Sequence, residues 1–458
     1  MSTPTSGPVG AAVHWRPAAL VIGLCWLIVV FDGYDLIVYG TTIPALLKEP
    51  GWELTPGQAG TIGSLAFAGM LVGALFAGNL ADRLGRRRTI LACVTWFTLF
   101  TGLCGFAPNA EVFGVLRFVA GIGLGGLVPS ANALAAEFVP HRFRSVGATA
   151  MMSGVPIGGA LAAIIGIPTL PALGWEALYL FAFSGFVLVA ALGRWLPESA
   201  VWLRSKDRAD EARAIEARYG LSVAEDAVGG PEAAADAATP AYRPALSTVL
   251  RAPFLPATLL FGVATVATLF AWYGLGTWLP KLTASEPRFD LGSNPLTYLL
   301  ALNLGAVAGS AITAWVATRI GPLRSAIIGA ACAALGLASL VTYPSSIVVV
   351  YGALILAGVG THGTQCLIIS AIAGHYPPIL RGTALGFALG AGRIGAVIAP
   401  TTAGWLLDGG YGVSSNFLLF AGASALSAVL LIATYLLTRT RSAGTAEPEP
   451  EPAGALAH

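Results

Sequence analysis

Charge is what this sequence has least of. Asp, Glu, Lys and Arg make up 10% of its 458 residues while 56% are hydrophobic, and the mean hydropathy is +0.75. That balance excludes an ordinary water-soluble globular enzyme. A formal net charge of +2 gives no bulk attraction to nucleic acid. Cysteine is scarce too: Cys25, Cys93, Cys104, Cys332 and Cys366 all fall in apolar runs without metal-like spacing, so they read as small packing residues rather than a disulfide framework or a metal site. There is no Walker loop, metal-ligand cluster or nucleophile elbow, so ATP drive, covalent catalysis and a cofactor find no support and the chain is not expected to be an enzyme. Gly121 to Gly126 and Gly390 to Gly395 match G-x-G-x-x-G, but neither follows a strand and opens a helix. Inside apolar helices they read as small-residue packing faces. A cleavable signal pattern is also missing, since the first apolar run is full length and leads straight into the body of the chain.

What the chain has is apolar runs. Spanning the hydrocarbon takes roughly 20 apolar residues as a helix, and twelve runs qualify, near 18–46, 57–81, 89–108, 111–138, 145–168, 175–196, 254–280, 295–318, 324–342, 346–374, 382–407 and 416–437. An all-α, polytopic membrane protein is expected. Basic residues alternate between connectors. "DRLGRRR", "HRFRS", "TRIGPLR" and "ILRG" follow the even spans 2, 4, 8 and 10, while "KEPGWE", "APNAE", "ALGWEA", "YPSS" and "DGGYG" follow odd ones. By the positive-inside rule the even connectors and both termini face the cytoplasm. Five segments follow: an N-terminal segment 1–17, a six-helix half 18–196, a polar cytoplasmic linker 197–250, a second half 251–438, and a low-complexity tail 439–458 expected to be disordered.

The two halves are copies. At an offset of 236 residues Gly69, Gly73, Arg83, Gly85 and Arg88 meet Gly305, Gly309, Arg319, Gly321 and Arg324; at 237, Pro140 meets Pro377, Arg144 meets Arg381 and Gly158 meets Gly395. Repeats related by an axis along the membrane normal belong to secondary transporters that rock around a central site.

The loop "GNLADRLGRRR", with its degenerate copy "AWVATRIGPLR", resembles the signature loop of the major facilitator superfamily. Within it, "DGYD", "RFVAGIGLGG", "LPES" and "GRIGAVIAP" are together similar to motifs of the aromatic acid/proton symporters. The resemblance covers all twelve spans. It implies a major facilitator fold in a bacterial inner membrane and uptake of a benzoate-like or hydroxybenzoate-like anion with protons, for catabolism. A monomer is expected, with the lipid bilayer, the acid and protons as its partners. Transport of another organic anion or a sugar-like solute is the alternative; a membrane sensor would need a signalling domain that the short linker does not supply.

Asp32 and Asp35 stand i, i+3 in span 1 and so share a helix face. Asp32 lies about 20 Å along that helix, where a charge is costly without water or a partner. Either the acids carry the coupled proton or they form a hydrogen-bonded pair that fixes the helix. Arg393 lies near mid-membrane with no acid one turn away on its helix. A substrate carboxylate would satisfy its planar fork, as would Asp32 or Asp35. Arg117 could serve instead or guide the anion, or be structural. His362 is a packing residue or a second proton site, with Gln365 one turn on in the same expected cavity. Among the aromatics of span 7, Trp272, Tyr273 and Trp278, and facing Tyr34 and Tyr39 of span 1, some form belts and some stack on an aromatic substrate. The resemblance further implies a latch in which Asp82, with Arg83, Arg86, Arg87 and Arg88, meets the start of span 11 and holds the outward-open state; the bland reading is a topogenic basic cluster. Glu137 is expected to pair with Arg142 and Arg144.

The repeat also separates scaffold from site. Asp32 overlays Thr268, Gly125 overlays His362 and Pro156 overlays Arg393, so each buried ionisable candidate faces a counterpart that cannot ionise.

Overall fold

The computed structural model describes residues 15–139, 147, 150–221 and 246–444. Its long helices, in chain order, are α1 Trp15–Leu46, α2 Pro56–Leu84, α3 Arg86–Cys104, α4 Ala110–Phe138, α5 Gly154–Leu173, α6 Glu176–Trp195 (interrupted by a 3-10 turn at Phe181–Ser184), α7 Leu255–Ser285, α8 Pro295–Ile320, α9 Pro322–Leu340, α10 Ile347–His375, α11 Pro378–Asp408 and α12 Gly412–Gly444. Eleven of these positions are long and apolar enough to cross a membrane. The exception is α3, whose first turn is three arginines that offset its apolar body. Among the described residues there is no strand.

Local sequence sets the helix ends. Thr55 and Gln58 form a reciprocal capping box at α2, and Asn109 and Asn294 cap α4 and α8 through side-chain oxygens. The connectors after α2 and α8 are the single residues Gly85 and Gly321, at φ 94° and 87°. A side chain there would be strained, which is why both copies of the loop keep glycine.

The halves repeat each other in packing as well as in sequence. The pairs α1 with α5, α2 with α4 and α3 with α4 recur as α7 with α11, α8 with α10 and α9 with α10. The same glycines make the closest approaches. Gly158 of α5 lies against the Val30 carbonyl of α1, and Gly395 of α11 against the Val266 carbonyl of α7; Gly73 meets Ile122 and Gly309 meets Val359. Close backbone approach through small residues is the main packing device where lipid removes the hydrophobic drive between helices.

Between halves, α2 packs on α11, α5 on α8 and α1 on α7, and the contacts concentrate at the end away from the basic loops. Asp408, at the C-terminus of α11, accepts from Gly57 N at 2.7 Å and Thr55 Oγ1 at 3.0 Å, a carboxylate held at the N-terminus of α2. Ser64 and Thr401 hydroxyls lie 2.7 Å apart, and Gly40 of α1 touches the Gly276 carbonyl of α7. Toward the basic-loop end, Gly382, Gly386 and Gly390 line one face of α11 with nothing within 4 Å of where a side chain would begin. The molecule is closed at one end and open at the other.

The region after α6 folds back on the first half as helices Ala200–Ser205 and Ala209–Tyr219. Tyr219 packs edge-on against Phe138 of α4, and the Trp202 indole donates to the Asp82 carbonyl at 3.0 Å. Arg142 and Arg144, the 222–245 part of the linker and the tail from 445 onward lie outside the described residues.

A single methyl distinguishes the two classes of glycine. Gly395→Ala is expected to destabilise the purified protein by about 1–3 kcal/mol through overpacking, whereas Gly386→Ala leaves it unchanged or gains up to ~1 kcal/mol of helix propensity. Thermal unfolding in one detergent checks the contrast, and equal shifts would contradict it.

Candidate functional site

The two acids of α1 have different partners. Asp35 turns into the first half, where Arg117 Nη1 of α4 donates to its Oδ1 at 3.0 Å and Oδ2 at 3.1 Å and Thr101 Oγ1 of α3 donates to Oδ1 at 2.6 Å. Acid and arginine are each 2% exposed, and Arg117 also lies over the Tyr39 ring. The pair stays within one half, so Arg117 stands with a protein carboxylate.

Asp32 is equally buried, yet its Oδ1 has no hydrogen-bond partner. Its strongest electrostatic neighbour is Arg393, ahead of Asp35. Arg393 comes from α11 in the other half and is half-buried, at the inner end of the open glycine face. Its Nη1 approaches Met70 Sδ at 3.8 Å and its guanidinium faces the Tyr273 hydroxyl. Among the described residues no carboxylate lies within 4.0 Å of it.

Aromatic and polar side chains complete the walls. Phe67 and Tyr273 rings lie 4.6 Å apart, and Trp272 lies 5.2 Å from the His362 ring. His362 Nε2 and both amide atoms of Gln365 are buried without partners. Such orphan atoms are expensive in a low-dielectric interior. A cavity of about 380 Å³, lined among others by Met152, Ser310, Thr313, Cys366 and Ser370, opens beside them between the start of α5, α8 and α10.

Other candidates lie apart from this group. Trp278 is fully buried with its indole on the Pro400 carbonyl at 2.8 Å, in the closed end. The Tyr34 hydroxyl donates to the Leu178 carbonyl at 2.8 Å beside Phe181 of α6, and Tyr39 to the Ala59 carbonyl. In the basic loop Arg86 pairs with Glu137 at 2.9 Å, the Arg87 backbone N–H donates to Glu198, and the Arg87 guanidinium donates to the Gly193 carbonyl. Asp82, Arg83 and Arg88 are exposed at the end where the halves stand apart. Glu137 thus takes Arg86 and Ser199 as its partners here.

Sequence reading passed over Asn303 of α8. It is 0% exposed, its Nδ2 donates to the Leu299 carbonyl, and its Oδ1, opposite Gly159 of α5, is unpartnered. A lone amide in "LLALNLGAVAG" was the available signal. Thr101 under Asp35 and Asp408 at the closed end carried none that distinguished them from ordinary cap or core residues.

A family model described as Major Facilitator Superfamily matches residues 25–400 and again 298–457. The chain belongs to this superfamily. As a facilitator it is a membrane transporter and not an enzyme. Among its relatives are a gentisate transporter of Corynebacterium glutamicum, 47% identical over 93% of this chain and 89% of that protein, and a benzoate transport protein of Acinetobacter baylyi, 35% identical over 95% and 91%. A 4-hydroxybenzoate transporter of Pseudomonas aeruginosa is 30% identical over 93% and 92%. The fold matches the partially occluded inward open conformation of the E. coli xylose transporter, with a TM-score of 0.72 at 15% identity, covering 91% of this chain and 99% of that one.

The buried pair in this facilitator should behave as a unit. Asp35→Asn strands the Arg117 charge and is expected to cost about 3–5 kcal/mol, while Asp35→Asn with Arg117→Met recovers most of the loss. A double variant less stable than the single one in thermal unfolding would show that the ion pair is not what holds these helices.

Proposed function

We propose that the protein is a proton-coupled importer of aromatic carboxylates in a bacterial cytoplasmic membrane, working by alternating access. The observation that carries this reading is Arg393, a half-buried guanidinium at the inner end of an open cleft with no carboxylate within 4.0 Å among the described residues. A cation at that depth calls for an anion, and its planar fork suits a carboxylate held through two parallel bonds. Phe67, Trp272 and Tyr273 supply ring surface for an aromatic body, and the relatives named for gentisate and benzoate support the same substrate class.

Asp32 supplies the proton site. With the substrate carboxylate on Arg393, an ionised Asp32 would leave the centre with a surplus negative charge. A proton on Asp32 makes acid, substrate and guanidinium neutral together, and a neutral site costs less to occlude. Closure of the open end then requires the far end, held by Asp408 on Gly57 and Thr55, to part. Positive-inside placement makes the open, basic-loop end cytoplasmic, with substrate released inward from this state. Asp82 and its neighbouring arginines form the latch on the opposite state.

Asp32→Asn is expected to abolish accumulation of labelled benzoate or gentisate under an inward proton gradient in proteoliposomes while exchange at equal pH survives, because exchange needs binding and rocking but no net proton release. Wild-type accumulation by this variant would remove Asp32 from the coupling.

Arg393→Lys should raise the Kd for the acid about tenfold or more, since an ammonium cannot copy the fork. The corresponding benzamide should compete poorly with wild type. Equal affinity for acid and amide would end the assignment.

A further inference from the structure

A second feature lies on the outer face of the first half, away from the central cleft. A groove of about 220 Å³ runs between α2 and α3 over a floor formed by Ile122, Gly123 and Gly126 of α4. Phe76, Ala77 and Leu80 of α2 make one wall, and Ala92, Cys93 and Trp96 of α3 the other. Its rims are open: Phe76 is 66% exposed and Trp96 44%. In a chain that spans a membrane that opening faces acyl chains rather than water.

Both walls run up to an arginine. On α2, Phe76, Leu80 and Arg83 follow at i, i+4 and i+7; on α3, Trp96, Ala92 and Arg88 step back at i, i−4 and i−8. Each series stays on one helix face, so the two arginines continue the lines of the two walls toward the basic loop. They differ from the other arginines of the loop. Arg86 pairs with Glu137 and the Arg87 guanidinium donates to the Gly193 carbonyl, while Arg83 and Arg88 are exposed and make no ion pair within 4.0 Å among the described residues. From Arg88 to Trp96 the helix rises about 12 Å, enough for the upper part of one acyl chain.

We infer that this groove is a binding site for an anionic phospholipid, with one acyl chain lying between α2 and α3 against Trp96 and the headgroup phosphate on Arg83 and Arg88. Charge complementarity selects the occupant. An apolar slot alone would take any lipid tail, but two uncommitted guanidiniums at its mouth favour a headgroup of net negative charge over a zwitterionic one. Arg86, paired with Glu137, and Arg87, whose guanidinium is turned onto the Gly193 carbonyl, leave Arg83 and Arg88 to meet the lipid. The site shares no residue with the central cleft; Arg83 and Arg88 also belong to the loop proposed above as the latch, so the test reads lipid retention and not transport.

The test uses the full chain in detergent with phosphatidylglycerol and phosphatidylcholine of identical acyl chains, lipid adducts being counted by native mass spectrometry. Wild type is expected to retain phosphatidylglycerol in preference, and that preference to fall about fivefold for each of Arg83→Gln and Arg88→Gln. Ala92→Phe, which fills the slot, should reduce retention of both lipids. A fluorescence measurement reports the chain directly. Phosphatidylglycerol brominated along its acyl chain should quench wild type more than Trp96→Phe, the difference being the contribution of one indole among eleven. An unchanged preference in the double glutamine variant overturns the headgroup assignment. Loss of preference with no quenching attributable to Trp96 also overturns the proposal, leaving a basic surface without a groove-bound chain.

Discussion

A charge buried within a bilayer has to be neutralised, and the two acids of α1 meet that demand differently. Asp35 is satisfied inside its own half by Arg117 and Thr101. Asp32 faces a cation carried by the other half and retains an unbonded oxygen. The first arrangement is complete without a ligand; the second is not. Much of the surrounding structure follows from keeping these two environments apart on adjacent turns of one helix. Three residues of α-helix leave two side chains roughly 60° apart around the axis and about 4.5 Å apart along it, and on the shared face that offset directs Asp35 to α3 and α4 and Asp32 to the interface.

The scaffold that holds this difference is nearly symmetric. Glycines at equivalent places let α5 press on α1 as α11 presses on α7, and glycines at positive φ end α2 and α8 alike. These positions were legible in the sequence because the demand they answer is local or repeated: an internal copy registers a shared steric need without knowledge of the tertiary contact. The twelve helices were legible for a similar reason, since length and hydropathy are set by the bilayer rather than by any particular neighbour. The arginine-rich start of α3 was the one place where composition alone gave a weak crossing signal.

The partners of individual side chains were harder to read. Spacing put Asp32 and Asp35 on one face and left open which would be paired, because the choice depends on α3, α4 and α11. Trp278 looked like a ring for stacking, but its indole closes on Pro400; Tyr34 likewise spends its hydroxyl on α6. Asn303, the amide inside α8, drew no notice among stronger charges. In each case the missing information was the identity of the facing helix, which a pattern on one helix cannot carry.

Asymmetry within the symmetric frame decides which charges can drive movement. The repeat places Ala271 opposite Asp35 and Leu354 opposite Arg117, so the second half has no counterpart of the internal ion pair, and Thr268, opposite Asp32, spends its hydroxyl on Ala264 and Ser427. A ligand or proton shifts a conformational equilibrium only by its different interaction with the two states. Asp35, Arg117 and Thr101 are bonded to one another within one half, so rocking of rigid halves would leave their mutual distances nearly fixed, and changing their charge would alter both states together. Asp32 and Arg393 lie on opposite halves, so rocking of the halves would change their separation. In the proposed cycle, a proton on Asp32 and an anion on Arg393 would bias one state over the other. On the proposed function, the pair across the interface is where coupling energy would enter, and the Asp35–Arg117 pair beside it would serve as the fixed wall.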